Sequence, residues 1–367
     1  MKLLLCFGTR PEAIKMAPIC KELNRLGIDF KICITAQHRE MLDQVMDFFE
    51  MTADYDLDLM KPNQSLNELS SLILSKIDKV LEKEVPDIVL VQGDTTTAVI
   101  IALAAFHRGI KVGHVEAGLR TFNKSAPFPE EVNRQIISKI ADVHFAPTSQ
   151  SFANLLKEQI SEDRICITGN TVVDALQWAI QKMESEPFSE GIQKIKALLN
   201  PNKKLILVTG HRRESFGEGL IHICEGLLEL SEREDVELIY PVHLNPNVTG
   251  PVQELLSHKK NIHLVSPVSY PVMLWLIKHS HFIISDSGGI QEEAPTFKKM
   301  VLVTREVSER MEGVEAGFSI LVGTDKDKII LEAERILNNP TDLKVAQNPY
   351  GDGTAAKQIV RFLLDDS

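Results

Sequence analysis

Five short stretches of this sequence concentrate residues that bind anions or move protons, and each follows an apolar run of strand length. Phe282-Ile283-Ile284 leads into Ser285-Asp286-Ser287-Gly288-Gly289-Ile290-Gln291-Glu292-Glu293-Ala294-Pro295, which reads as a strand, a Ser/Gly turn and a helix start. Gly288 and Gly289 let the backbone come close to a ligand, and free N–H groups at the helix start would face an anion such as a diphosphate. Glu293 stands where it could accept from sugar hydroxyls. Gly8-Thr9-Arg10-Pro11-Glu12-Ala13-Ile14-Lys15 is a second turn and helix start, with Pro11 suited to the first helical position and Arg10 and Lys15 about one turn apart. It suits a phosphate, and it would equally serve as a capped helix with surface cations. Gly210-His211-Arg212-Arg213-Glu214-Ser215 ends a third apolar run; His211 is a phosphate ligand, a leaving-group acid or a polar loop residue.

Carboxylates occupy the remaining strand ends. Asp94 lies in Gln92-Gly93-Asp94-Thr95-Thr96-Thr97 and Glu116 in Glu116-Ala117-Gly118-Leu119-Arg120. Glu130 lies in Pro127-Phe128-Pro129-Glu130-Glu131-Val132-Asn133-Arg134, a loop entering a helix. A single loop acid is ordinarily solvated or a cap, and Asp94 sits where an N-cap would. Three of them facing a basic turn form a pattern that proton transfer could use. His114, His243 and His263 lie in or beside strands and have weaker claims. No group of His, Cys or acids has metal-ligand spacing. Neither G-x-G-x-x-G after strand one, nor a P-loop, nor Tyr-x-x-x-Lys occurs, so no cofactor is expected.

The elements that must position these residues alternate. Strands are expected at Leu3–Phe7, Asp29–Thr35, Asp87–Val91, Lys111–Val115, Val143–Ala146 and Arg164–Ile167, with helices between them, including 65–84 and 149–160. At Gly169-Asn170-Thr171 the rhythm restarts. Helix 171–183, a polar stretch 184–203 and strands Leu205–Thr209, Val236–Tyr240, Ile262–Val265, Phe282–Ile284 and Met300–Val303 follow, with helices 218–231, 251–257, 326–338 and a tail helix Asp352–Leu364. This is α/β, with parallel sheets covered on both faces. Two doubly wound, Rossmann-like domains facing a cleft are expected, 1–170 plus 350–367 and 171–349, with ligands at the carboxyl ends of the strands. The 367 residues suit two domains, and 44% hydrophobic with 25% charged content suits a globular protein. A net charge of −11 argues against nucleic acid as a partner. The five scattered cysteines without Cys-x-x-Cys suit a reducing compartment, and no apolar run reaches membrane-spanning length; a cytoplasmic location and no membrane partner are expected.

These runs resemble the non-hydrolysing UDP-N-acetylglucosamine 2-epimerases. Phe7 to Lys15, Gln37-His38-Arg39, Gly93 to Thr97, His114 to Arg120, Pro129 to Arg134, Gly210 to Glu214, Ser285 to Glu293 and Arg310-Met311-Glu312-Gly313-Val314-Glu315-Ala316-Gly317 match in order. The resemblance implies a glycosyltransferase-B-like fold, a C-terminal helix that crosses back to the first domain, and a homodimer. It implies reversible conversion to UDP-N-acetylmannosamine through elimination of UDP, 2-acetamidoglucal and re-addition, for bacterial surface polysaccharide precursors. By carry-over it places Asp94, Glu116 and Glu130 around the hexose, and Arg10, His211, Ser287 and Gly288 on the diphosphate. Gly289 adjoins them, Glu293 meets the ribose, and Lys15, Arg134 and Arg310 supply an electrostatic frame. Met311 stands where most members have Pro, a loop substitution expected to be tolerated. A UDP-sugar-dependent glycosyltransferase of the same fold is the alternative. A hydrolysing epimerase usually carries a kinase domain, for which no length remains.

The resemblance also implies a regulatory UDP-N-acetylglucosamine beside the active site, held by Gln37, His38 and Arg39, a second-domain histidine, here His243, and an arginine on an early helix. By register that arginine falls near Leu72, and Ser70-Ser71-Leu72-Ile73 contains none. Losing a cation opposite a diphosphate removes a contact worth roughly 1.5–3 kcal/mol. Weak or absent activation is therefore expected: reverse turnover should start from UDP-N-acetylmannosamine alone. A long lag abolished by traces of UDP-N-acetylglucosamine would contradict this.

Overall fold

The computed structural model describes residues 1–36, 39–61, 64–185, 190–210, 212, 215–339, 343 and 346–365. It divides into two compact units, Met1–Trp178 with Tyr350–Ser367, and Ala179–Pro349.

The first unit opens with β1 (Leu3–Phe7), five fully buried residues, then α1 (Arg10–Leu26), β2 (Phe30–Ile34), α2 (Arg39–Phe48), β3 (Tyr55–Asp56) and α3 (Leu66–Glu84). It continues through β4 (Ile88–Gln92), α4 (Thr96–His107), β5 (Lys111–Val115), α5 (Glu130–Ile140), β6 (Val143–Ala146), α6 (Ser149–Lys157), β7 (Ile165–Ile167) and the start of α7 (Thr171–Ser185), whose residues from Ala179 onward count with the second unit. The strands form one parallel sheet in the order β3-β2-β1-β4-β5-β6-β7. Strand order reverses between β1 and β4, so the loops bearing Arg10, Lys15 and Asp94 straddle the switch point, where open α/β sheets leave a crevice. Apolar side chains from both layers close the core, among them Leu4, Val89 and Val91 from the sheet and Ile73, Ile77, Ile101 and Ile137 from the helices.

The second unit comprises α8 (Glu190–Leu198), β8 (Lys204–Thr209), α9 (Glu218–Leu230), β9 (Val236–Pro241), α10 (Pro246–Leu256), β10 (Ile262–Val265), α11 (Tyr270–His279), β11 (Phe282–Ser285), α12 (Gly288–Glu293), β12 (Val301–Val303), α13 (Met311–Glu315), β13 (Ser319–Leu321) and α14 (Lys326–Asn338). Its parallel sheet runs β10-β9-β8-β11-β12-β13, with the reversal between β8 and β11. The last helix, α15 (Ala355–Asp365), packs on α1 in the first unit. Asp174 accepts from the Ala355 and Ala356 N–H groups at 3.2 and 2.9 Å, and so caps α15 from α7.

Five helices and strands lie beyond the sequence expectation, one of them α13, which spans Met311–Glu315 where a loop was expected. α8 falls within the stretch 184–203, α11 in an interval left unassigned, and β3 and β13 are two and three residues long. α10 begins at Pro246, where the Asn245 side chain accepts from the Asn247 N–H, and it carries Pro251 inside it. The expected start was residue 251; Asn245 supplies the cap, and Pro246 the first position, of a helix that starts earlier. Among the described residues no helix is long and apolar enough to cross a membrane.

His114 on β5 and His144 on β6 are register partners without exposure, and His114 Nε2 donates to the Gly93 carbonyl at 2.7 Å. Burial, with nearby positive charge, pushes His114 down to about 4 and His144 to about 3. A base depressed in this way leaves the proton to the unfolded chain. Its contribution is complete above about pH 6.5 and is lost as pH falls towards the folded value. Glu12, pushed up to about 7 chiefly by burial, works in the opposite sense, so the informative quantity is a difference between variants. His144→Leu should lose about 2 kcal/mol less stability than the parent between pH 7 and pH 5, read by urea unfolding at both. Equal losses would show that His144 is not held neutral.

Candidate active site

In the first unit the site is built on three adjacent strand ends. α1 starts straight after β1, and the Glu12 carboxylate accepts from the Gly8 and Thr9 N–H groups at 3.1 and 2.8 Å, satisfying donors that a helix start leaves open. Glu12 also accepts from the Thr95 hydroxyl at 2.8 Å, so the turn after β1 is tied to the turn after β4. Arg10 is half-buried at the first position of α1. Lys15, one turn further, is 6% exposed and its ammonium meets the Glu116 carboxylate. The reading of Lys15 as a surface cation is thereby excluded. Burial of both partners makes the pair an internal one.

Glu116 directly follows β5 with φ 66, a left-handed conformation that few side chains adopt. Its carboxylate also accepts from the Asn170 amide at 2.9 Å. Asp94 follows β4 and is not a helix cap: Thr95 caps α4 by accepting from the Ala98 N–H. The Asp94 carboxylate instead meets Arg134, with Nε and Nη2 at 2.8 and 2.7 Å. Asn133 donates to the Asp94 carbonyl at 2.8 Å. Glu130 opens α5, half-buried, one turn before Arg134. Glu131, without exposure, pairs with Arg134 at 3.1 Å and accepts from the Thr121 and Phe122 N–H groups, which fixes the loop before α5. Asn133, Glu131 and Asn170 were not singled out for chemistry in the sequence, because their partners lie on other loops.

The second unit builds its part at β8 and β11. The Thr209 and Ser285 hydroxyls meet at 2.7 Å across the strand pair, and the Ser287 N–H donates to Ser285 Oγ at 2.9 Å. Asp286, 1% exposed, accepts from the Arg212 N–H at 2.8 Å, which ties the loop after β8 to the turn after β11. His211 lies outside the described residues. Gly288 opens α12, and the Arg310 guanidinium fills the space a Cβ would take there, at 2.6 Å. Glycine at that position thus admits a side chain of its own unit, whereas a Cβ at Gly289 would come no closer than an ordinary contact with Ser287 Oγ, at 3.8 Å. Arg310 is held by Glu292 at 2.8 Å and by Glu309, all three largely buried. Glu293 ends α12 at 7% exposure. Met311, expected in a loop, is the exposed first residue of α13, with Arg310 as its N-cap residue.

Of the residues linked to regulation, Gln37 and His38 lie outside the described residues. Arg39 begins α2 and pairs with Asp56 at 2.6 Å and Asp58 at 2.8 Å. His243 is exposed after β9, its Nδ1 accepting from the Asn245 N–H at 3.2 Å.

The arrangement offers a buried and a half-buried carboxylate, each paired with a buried cation, at one switch point, and a Ser/Gly turn with a buried arginine at another. Comparison with known proteins decides the lineage. The family described as UDP-N-acetylglucosamine 2-epimerase matches residues 21–364. This chain belongs to that family. A Campylobacter jejuni UDP-N-acetylglucosamine 2-epimerase is 49% identical over 376 residues, covering 99% of this chain and 97% of the relative. The crystal structure of the Neisseria meningitidis UDP-GlcNAc 2-epimerase bound to UDP-GlcNAc superposes with TM-score 0.95 at 49% identity, covering 100% of both chains. The Methanocaldococcus jannaschii enzyme, in complex with UDP-GlcNAc and UDP, gives 0.88 at 36% identity, again over 100% of both.

Breaking a buried ion pair strands the remaining charge, at a cost of about 3–5 kcal/mol. Lys15→Met should therefore destabilise the protein by about that much, and Lys15→Met with Glu116→Gln should recover most of it. Denaturant unfolding of the parent, both single variants and the double variant checks this; a loss in the double equal to the sum of the single losses would contradict it.

Proposed function

We propose that this chain epimerises UDP-N-acetylglucosamine at C-2, reversibly, to UDP-N-acetylmannosamine by elimination and re-addition of UDP. The observation that carries the reading is the pairing of Glu116 with Lys15 and of Asp94 with Arg134 at adjacent strand ends, in a chain of this family. The C-2 hydrogen is not next to a carbonyl, so its removal needs a bond that breaks in concert or close behind. In the proposed sequence a carboxylate takes the C-2 proton, the C–H electron pair becomes the C-1–C-2 double bond, and the C-1–O bond breaks towards UDP. Re-addition of UDP, with a proton delivered to the other face of C-2, gives the epimer.

Asp94, Glu116 and Glu130 are the acid–base groups of this reading. Lys15 and Arg134 pair with two of them and hold them in place. Arg10, His211, Ser287, Gly288 and Gly289 take the diphosphate, Arg310 shapes that turn, and Glu293 takes the ribose; charge developing on the departing UDP is what these groups stabilise. The same reading makes the protein a cytoplasmic homodimer that supplies surface polysaccharide precursors. A glycosyltransferase on this fold would need an acceptor, and incubation with UDP-N-acetylglucosamine alone separates the two.

In deuterium oxide the product should carry deuterium at C-2 by proton NMR; full retention of the original hydrogen would exclude elimination. Asp94→Asn, Glu116→Gln and Glu130→Gln should each lower turnover by roughly 10²-fold or more while the chain still folds. Near-normal turnover in all three would overturn the assignment.

A further inference from the structure

Asn170 sits in the short segment between β7 and α7, 3% exposed, and every part of it is engaged. Its backbone N–H donates to the Tyr350 carbonyl at 2.7 Å, which fixes where the C-terminal segment joins the first unit. Its side-chain carbonyl accepts from the Val172 N–H at 3.0 Å, at the open end of α7. Its side-chain amide donates to Glu116 Oε2 at 2.9 Å. Gly169 before it has φ 85, and a Cβ there would meet the Tyr350 carbonyl at 3.3 Å, so the main chain is pressed against the returning segment at this point.

Capping α7 does not account for the residue type. Asp would accept from the Val172 N–H as well as Asn does, and Ser or Thr nearly so. Only the amide adds a donor facing Glu116. Glu116 needs one, because its left-handed backbone costs of order 1–3 kcal/mol and persists only where the surroundings over-determine it. The Lys15 ammonium is a point charge, which does not by itself fix the plane of a carboxylate. A second donor to the carboxylate, on a backbone locked by Tyr350, does.

We propose that Asn170 is the positioning residue for Glu116, setting the orientation and charge state of that carboxylate for proton transfer at C-2. This rests on the reading of Glu116 as an acid–base group. It adds that the attachment of the C-terminal segment at Tyr350 is part of the catalytic geometry rather than only of the fold.

Asn170→Asp tests it, because the cap to Val172 survives while the donor becomes a second negative charge. Asn170→Ser keeps a capping oxygen of smaller reach and removes the donor without adding charge, so it serves where the acidic variant folds poorly. For either variant kcat should fall about 10- to 100-fold with KM within about threefold. In Asn170→Asp the acid limb of the kcat–pH profile should move upward by about one unit, since a carboxylate that loses a donor and gains a like charge is protonated more readily. In a Glu116→Gln background Asn170→Asp should add almost nothing. Wild-type kcat and an unmoved acid limb in the Asn170 variants, beside an impaired Glu116→Gln, would overturn the positioning role alone. Full turnover in Glu116→Gln would overturn the role of Glu116 and this proposal with it.

Discussion

Lys15 and Glu116 meet with side chains about 7% and 6% exposed, and much of the first unit follows from accommodating that pair. Each charge taken out of water costs several kcal/mol unless a partner and further hydrogen bonds replace the solvent. The partner comes from α1 and the acceptor from the end of β5, two strands away from β1 across β4. α1 must therefore begin where it does. A shift of one residue would turn Lys15 by about 100° around the helix and leave Glu116 without its cation. Glu12 guards that start by accepting from the Gly8 and Thr9 N–H groups and from the Thr95 hydroxyl. Arg134 performs the same office for Asp94 from α5. Three strand ends are thus cross-linked by charge and hydrogen bonds.

The second unit meets the same constraint with different residues. Here a cation, Arg310, is set against two acids, Glu292 from α12 and Glu309 beside it in sequence, and its guanidinium lies over Gly288. The two acids hold a large side chain against the first residue of α12. Asp286 and Ser285 settle the loops on either side, the first by receiving the Arg212 N–H and the second by receiving that of Ser287. Both units thus place paired polar side chains at the sheet reversal, Lys15 with Glu116 and Arg134 with Asp94 in the first, Arg310 with Glu292 and Glu309 in the second.

What was legible in the sequence divides along physical lines. Long apolar runs such as Leu205–Val208 and Phe282–Ile284 announced buried parallel strands because both of their faces are covered. α11 escaped notice because Tyr-Pro-Val-Met-Leu-Trp-Leu-Ile is apolar almost all round, so no 3.6-residue alternation marks it. β3 and β13 are too short to show a period, and their pairing depends on the neighbouring strand. The chemical residues stood out where a strand end, a glycine and a charged group coincide. Asn170 has the glycine and the strand end but no charge, and its partner is 54 residues away. Asp94 and Thr95 both suit an N-cap by type, and the choice between them was made by Arg134, a tertiary contact that local spacing does not encode.

Buried charge of this kind is a poor way to stabilise a fold, since apolar residues of equal size would often do as well or better. Its value lies in fixing oriented groups before a ligand arrives, so that little reorganisation accompanies the transfer of charge. The backbone of Glu116 carries that logic furthest. A left-handed residue directly after β5 turns the side chain out of the alternation the strand would impose, towards Lys15 and Asn170. In an ordinary strand end such a residue would be Gly or Asn. A glutamate there sits against its own conformational preference, and the contacts that hold it connect β5, α1 and the segment joined by Tyr350. Strain at this one residue is therefore opposed by Lys15 from α1 and by Asn170, which is itself tied to Tyr350, so groups distant in sequence keep a carboxylate in a place that the local chain disfavours.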